Sequence, residues 1–282
     1  LGVRVEQRET EDRQIVLDIE ASDEEIEDGL KEVYLRLVSK TNIPGFRKGK
    51  VPRPILERHI GKESFLEKGA EIILPRLYSR AIEEGGIEPL AQPKLEVLSV
   101  EPQLKFRATV PLKPEVVLGD YRGIRMEQTE DKFEDQVVDK LVEISRVEFP
   151  PFLREEEISR LLRREMEGFG TFQNYLSFVA KSEEEVMEEL RPEAEGRIKR
   201  TLVLGKVAEE ENLRVEEEEV EAELEKKVED LKEREKAKRL LWNWLERVVL
   251  TRKTIDLLVE IAKGGRDDKS DNSHCDRGDK RE

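Results

Sequence analysis

Apolar positions along this chain change period twice. Val3 and Val5 alternate with Arg4 and Glu6, and Ile15, Leu17 and Ile19 alternate with Val16, Asp18 and Glu20. A period of two marks strands with one buried face, so these runs predict a hairpin turning near residues 10–13. The period then lengthens. Ile26, Leu30, Val33 and Leu37 fall on one side of a helix, and Ser22 with Glu25 supplies the capping box that starts it. That helix must end before Pro44, because the residue preceding a proline avoids the helical region. Residues 52–60 predict a short helix closed by Gly61. Residues 62–84 predict a longer one through Phe65, Ile72, Ile73 and Leu77, which Pro75 should kink or split and Gly85-Gly86 should end. Leu95 and Val97, then Leu104, Phe106, Ala108 and Val110, return to period two, with a turn expected at Pro102-Gln103. Two strands, helices and two strands predict an α+β layer: an antiparallel sheet with helices on one face.

The pattern fades between residues 113 and 133, where Pro114, Gly119-Asp120 and Gly123 read as an extended linker. Val116, Val117, Ile124 and Met126 could still pack along a neighbouring surface. Beyond it the period is helical throughout. Val137, Val138, Leu141 and Ile144 form one stripe, stopped by Pro150-Pro151; Ile158, Leu161, Leu162 and Met166 form the next, ended by Gly168 and Gly170. Thr171 caps a short helix. Ser182 with Glu185 opens a long one through Val186, Leu190, Ile198, Leu202 and Ala208, bent if anywhere at Pro192, with Asn212 at its end. Val220, Leu224, Val228 and Leu231 continue the pattern. The most apolar stretch comes last, from Leu240 through Leu241, Trp242, Trp244 and Leu245 to Leu250, then on to Ile261 and the stop at Gly264. The expected organisation is an α+β domain over 1–118, a linker over 119–133, an all-α domain over 134–264 and a disordered polar tail over 265–282.

Composition sharpens this picture. The 282 residues are 41% charged and 37% hydrophobic with a net charge of −15, which with helical periods implies long solvated helices with narrow apolar stripes. The acidic balance argues against a general or sequence-specific nucleic-acid binder. A local basic cluster survives within it: Arg47, Lys48, Lys50, Arg53, Arg58 and Lys62 lie close in sequence with Glu57 as the lone acid among them, and such a patch steers one end of a molecule to one target. The single cysteine, Cys275, excludes a disulfide framework within the chain. No apolar run is long enough for a membrane span, and no apolar signal stretch opens the sequence, so the expected location is cytoplasmic.

That basic cluster surrounds residues 42–52, Asn-Ile-Pro-Gly-Phe-Arg-Lys-Gly-Lys-Val-Pro. Prolines fix backbone angles and glycines permit left-handed ones, so the composition builds a shaped loop. A bulky Phe46 at a loop tip has little core to enter, and Arg47 offers a planar donor fork suited to a carboxylate or phosphate. Gly45-Phe46-Arg47-Lys48-Gly49-Lys50-Val51-Pro52 resembles the signature of bacterial trigger factor, a family of ribosome-associated chaperones. The resemblance implies that Gly45, Phe46, Arg47, Lys48 and Gly49 form a loop docking on a ribosomal protein beside the exit tunnel. Residues 137–264 resemble the family's all-helical, arm-bearing domain, which holds nascent and unfolded polypeptides through scattered apolar patches without ATP. Leu241, Trp242, Trp244 and Leu245 are the candidate client-binding residues, and a buried helix face is the competing reading for that segment. Apolar helix faces also leave a homodimer open. Family members carry an FKBP-like prolyl isomerase domain between these two parts; here too few residues separate Val117 from Glu134 to hold a domain, so isomerase activity is not expected and would rest on family membership alone.

Other chemistry finds no support. Only His59 and His274 exist, so no catalytic triad can be assembled and no catalytic residue is assigned. His274-Cys275 gives two ligands where a tetrahedral metal site needs four. No phosphate-cradling or dinucleotide motif occurs, and no cofactor is expected. The alternative to a ribosome-docked chaperone is a ribosome-independent holdase or assembly factor that uses the tip for dimerisation or another acidic partner.

Overall fold

The computed structural model describes residues 4–10, 12–99, 104–127, 132–227 and 231–264. Contacts divide it into two compact units: residues up to 115 together with 148–153, and residues 116–147 together with 154 onward.

In the first unit, strands β1 (Arg4–Thr10) and β2 (Gln14–Glu20) form the expected hairpin, and β3 (Lys94–Ser99) and β4 (Lys105–Pro111) complete an antiparallel sheet of order β1-β2-β4-β3. The register places Ile15, Leu17 and Ile19 opposite Val110, Ala108 and Phe106. Those side chains share one face and are buried, which is what period two requires of a sheet covered on one side. Arg107 on the other face donates two hydrogen bonds to Asp18, at 2.7 and 3.0 Å, and this pairing holds the Asp18 carboxyl below its ordinary range. The expected turn at Pro102-Gln103 lies outside the described residues, as do Val3, Val228 and the tail 265–282.

Helices α1 (Asp23–Val38), α2 (Arg53–Ile60) and α3 (Lys62–Gly85) cross between the two hairpins. The Ser22–Glu25 capping box is formed reciprocally, as read. Pro75 does not split α3, which runs through it without a break. Pro75 itself is exposed, while Ile73, Leu74 and Leu77 around it are buried; their anchorage outweighs one missing backbone bond. Gly86, at φ 60°, ends the helix. Gly29 and Gly69 sit where α1 and α3 meet: a Cβ on Gly29 would come within 2.2 Å of Ile73, and one on Gly69 within 2.7 Å of Leu30.

The unit has two cores. One lies between the sheet and α3. The other is formed by Leu30, Val33, Val38, Ile43, Val51, Leu56 and Phe65, from α1, α2, the start of α3 and the two ends of the intervening loop.

The second unit begins in the stretch expected as an extended linker. Strand β5 (Glu115–Val117) pairs with β6 (Arg146–Glu148). A 3-10 turn, Tyr121–Gly123, follows β5, with Asp120 accepting from the Gly123 amide. Tyr121 and Ile124 are buried, and the Met126 amide donates to the Ala262 carbonyl at 3.1 Å. The Tyr121 hydroxyl donates to Glu211, and burial followed by that contact pushes its pKa up to about 12. Much of the stretch is therefore packed.

The remaining elements are helices: α4 (Phe133–Ile144), α5 (Pro151–Glu165), α6 (Phe172–Val179), α7 (Glu183–Glu210), α8 (Glu217–Lys227) and α9 (Leu231–Ala262). At 1.5 Å per residue, α7 and α9 run about 40 and 50 Å. Along these lengths three apolar cores are found among the described residues. The central one joins α4 to the C-terminal halves of α7 and α9 through Val137, Leu141, Val203, Val207 and Leu258. A second joins α5 and α6 to the N-terminal half of α7, through Ile158, Leu161, Tyr175 and Leu190. The third joins α8 to the N-terminal half of α9 through Val220, Leu224 and Leu245. Among the described residues, no helix is long and apolar enough to cross a membrane.

Candidate functional site: a basic loop and an apolar helix face

Ile43 and Val51 fix the loop between α1 and α2. Both are buried, and they plug its two ends into the core below. The Tyr34 hydroxyl donates to the Val51 carbonyl at 2.8 Å, and the Gly49 amide donates to the Val38 carbonyl at 3.1 Å. Between these anchors the chain makes two consecutive turns. The Phe46 amide donates to the Ile43 carbonyl and the Lys50 amide to the Arg47 carbonyl. Gly45, at φ 89°, and Gly49, at φ 79°, occupy the third position of each turn. Type II turns need positive φ there, and Pro44 at the second position of the first has its φ preset. The sequence Ile-Pro-Gly-Phe followed by Arg-Lys-Gly-Lys thus writes the loop's geometry directly.

The result is a presented tip. Phe46 is 39% exposed, and Arg47, Lys48 and Lys50 are exposed. None of these three cations makes an ion pair with a described residue, whereas acids neutralise many cations elsewhere: Arg36 and Arg76 share Glu32, and Arg107 holds Asp18. Arg53 departs from the expected basic cluster. It bonds Glu27 at 2.5 Å and Glu57 at 2.6 Å, lies against the Phe65 ring, and has its pKa raised chiefly by Glu27. Its role is to brace α2 on α1. Lys62 is also engaged. The cluster therefore contracts to Arg47, Lys48 and Lys50, with Arg58 and His59 exposed on α2.

The N-terminal half of α9 divides by face. Leu245 is fully buried against Val220 and Leu224, and Trp242 is half-buried at the same cluster with the Lys238 ammonium 4.9 Å from its ring. Leu245, one of the four candidate client-binding residues, packs in this structure against α8. Leu240 and Leu241, with Trp244 about one turn on, are 82%, 37% and 49% exposed. Sequence reading missed Phe178, which is 74% exposed at the end of α6 with its ring 5.0 Å from that of Phe169. A helical wheel of α6 would not have found it, since Phe178 falls three residues after buried Tyr175 and so toward the same side. Among the described residues no cluster of acids, histidines or cysteines could hold a metal ion.

An α+β unit that holds out a braced basic-aromatic loop, joined in one chain to a helix-rich unit, is the class of architecture this fold defines. The family model for the bacterial trigger factor protein matches residues 3–145, and that for the bacterial trigger factor C-terminus matches residues 121–260. The chain belongs to the trigger factor family. The two matches overlap, so no residue separates them. The trigger factor of Anoxybacillus flavithermus is 42% identical over 132 residues, 46% of this chain and 31% of that relative. That of Natranaerobius thermophilus is 43% identical over 130 residues, 44% and 29%; that of Desulforudis audaxviator is 37% identical over 145 residues, 51% and 33%. These alignments thus span about a third of the relatives' own length. A solved structure described as promiscuous substrate recognition in folding and assembly activities of the trigger factor chaperone matches with a TM-score of 0.69 and 18% identity. It covers 91% of this chain and 99% of its own, a likeness of fold.

Proposed function

We propose that this chain is an ATP-independent, cytoplasmic chaperone that docks on a ribosomal protein at the tunnel exit through Gly45, Phe46, Arg47, Lys48 and Gly49. Its helical unit shields nascent and unfolded polypeptides. The observation that carries the docking half is the tip itself: an exposed aromatic ring and three cations unpaired among the described residues, on a loop plugged into the core by Ile43 and Val51. Phe46 enters a shallow apolar contact, Arg47 takes a carboxylate, and Lys48 adds charge towards RNA or protein. Exposed ion pairs contribute only ~0–1 kcal/mol each, so docking is transient and weakens as salt rises.

Client capture rests on the exposed side chains of Leu240, Leu241 and Trp244, with half-buried Trp242 at the α8 contact beside them, an apolar surface that demands little shape of its partner. The chain works by binding and not by catalysis. The two family matches overlap, leaving no residues between them for an isomerase domain, which supports this reading over prolyl isomerisation.

Pelleting with purified ribosomes at low and moderate salt tests the docking half. The intact chain is expected to co-sediment at low salt, and the variant F46A/R47A/K48A to stay in the supernatant with its circular dichroism unchanged. Equal behaviour of the two would leave a ribosome-independent holdase as the reading.

A further inference from the structure

Two residues of α1, one turn apart, hold the exit arm of the basic loop. The Val38 carbonyl accepts from the Gly49 amide at 3.1 Å, and the Tyr34 hydroxyl donates to the Val51 carbonyl at 2.8 Å. As the loop advances from residue 49 to 51, its partner on α1 steps back from 38 to 34, so the arm runs antiparallel to the helix. Four helical residues rise about 6 Å and two extended residues span about 6.5 Å, so the two spacings match. The bonds differ in kind. The first is backbone to backbone and survives a change of side chain. The second hangs on one hydroxyl, and among the described residues no other side chain outside the loop bonds residues 42–52. Val51 is fully buried, so its carbonyl has no water to turn to. The Tyr34 ring packs half-buried on the core formed by Leu30, Val33 and Phe65. Removing the hydroxyl alone leaves the ring in that core and orphans the carbonyl, which regains a partner when the arm lifts into water. Lifting the arm moves Gly49 and Lys50, and with them Arg47, whose carbonyl accepts from the Lys50 amide.

We propose that Tyr34 is a positioning residue for docking. Its hydroxyl keeps the exit arm down, so that Phe46, Arg47 and Lys48 stand in their binding arrangement before the ribosomal protein arrives. The role rests on the proposed docking reading and acts through the loop, not by contact with the partner. A held loop needs no ordering on binding, whereas a released one is competent only for the fraction of time it returns. An arm displaced about four-fifths of the time weakens retention about fivefold. The loss falls on association. The contacts once made are the same, so dissociation keeps its rate.

Association with and dissociation from immobilised purified ribosomes are followed by biolayer interferometry for the intact chain, Y34F, F46A and a chain with para-aminophenylalanine in place of Tyr34, which keeps a para donor. Y34F should associate about fivefold more slowly and dissociate at the intact rate. F46A, which removes a contact, should dissociate faster, and the aminophenylalanine chain should recover most of the association rate. Without ribosomes, amide exchange in Y34F should quicken at residues 46, 49 and 50 and stay unchanged in α3, with a thermal midpoint close to that of the intact chain. Association of Y34F at the intact rate, a loss that the para donor does not restore, or a loss that appears in dissociation overturns the positioning role. So does a loss accompanied by a lowered midpoint and faster exchange throughout the first unit, which marks a defect of folding. Unchanged exchange at the loop of Y34F, in a chain whose intact form binds ribosomes, overturns the role of Tyr34 while docking stands. Absence of ribosome binding by the intact chain overturns the docking reading and the positioning role together.

Discussion

At the scale of single residues, the loop is the clearest case of sequence dictating geometry. Gly45 and Gly49 have open space where a Cβ would stand, so only their positive φ resists substitution. A left-handed conformation costs a side-chain-bearing residue roughly 1–2 kcal/mol. Gly45→Ala and Gly49→Ala should each weaken ribosome retention about five- to twentyfold in a pelleting titration while leaving the melting temperature nearly unchanged. The loop was legible because proline and glycine carry their constraints locally. Arg53 was not legible: its charge reads as part of the basic cluster, and only the fold brings Glu27 beside it. The burial of Leu245 was hidden for a related reason. An apolar run on several helix faces does not say which face meets α8.

At the scale of elements, the capping boxes at Ser22 and Ser182 fixed the starts of α1 and α7 correctly. The β5–β6 pair went unread, since three-residue strands have no period to detect. Leu95 and Val97 alternate as a half-buried strand should, yet stand exposed because β3 is an edge. Gly29 and Gly69 also had a meaning beyond their propensity. Glycine inside a helix destabilises it by about 1 kcal/mol relative to alanine, and here the return is the close approach of α1 to α3. Gly29→Ala should therefore destabilise the first unit by about 1–3 kcal/mol through overpacking against Ile73, seen as a lower thermal midpoint in circular dichroism.

The α8–α9 pair makes a separate prediction. Arg252 donates to Glu223 at 2.9 Å and Lys253 to Glu219 at 2.8 Å; these contacts lower both carboxyl pKa values below the ordinary 4.5. A depressed folded-state value means the stabilisation is fully present above about pH 4.5 and is lost as pH falls through the folded values. Both tryptophans of the chain, Trp242 and Trp244, lie on α9, and Trp242 packs on the apolar cluster that joins α8 to α9. Their emission should shift to the red on acidification below pH 4.5, and E223Q should show part of that shift already at neutral pH. Emission unchanged down to pH 3 would count against these pairs as clamps.

At the scale of the whole molecule, a chain of net charge −15 presents an unpaired cationic tip. Such a distribution orients approach to a negatively charged particle and keeps the remaining surface off it. Raising salt from about 50 to 500 mM shortens the screening length from over 10 Å to under 5 Å. Ribosome retention should fall steeply over that range, while suppression of client aggregation, which depends on apolar contact, should hold or improve.

The most direct test of the account replaces Phe46 with a photo-crosslinking residue and irradiates the chain on purified ribosomes. The account predicts one predominant adduct, with a ribosomal protein, that disappears when Arg47→Ala is added. Adducts spread over ribosomal RNA, or none at all from a folded chain, would contradict it.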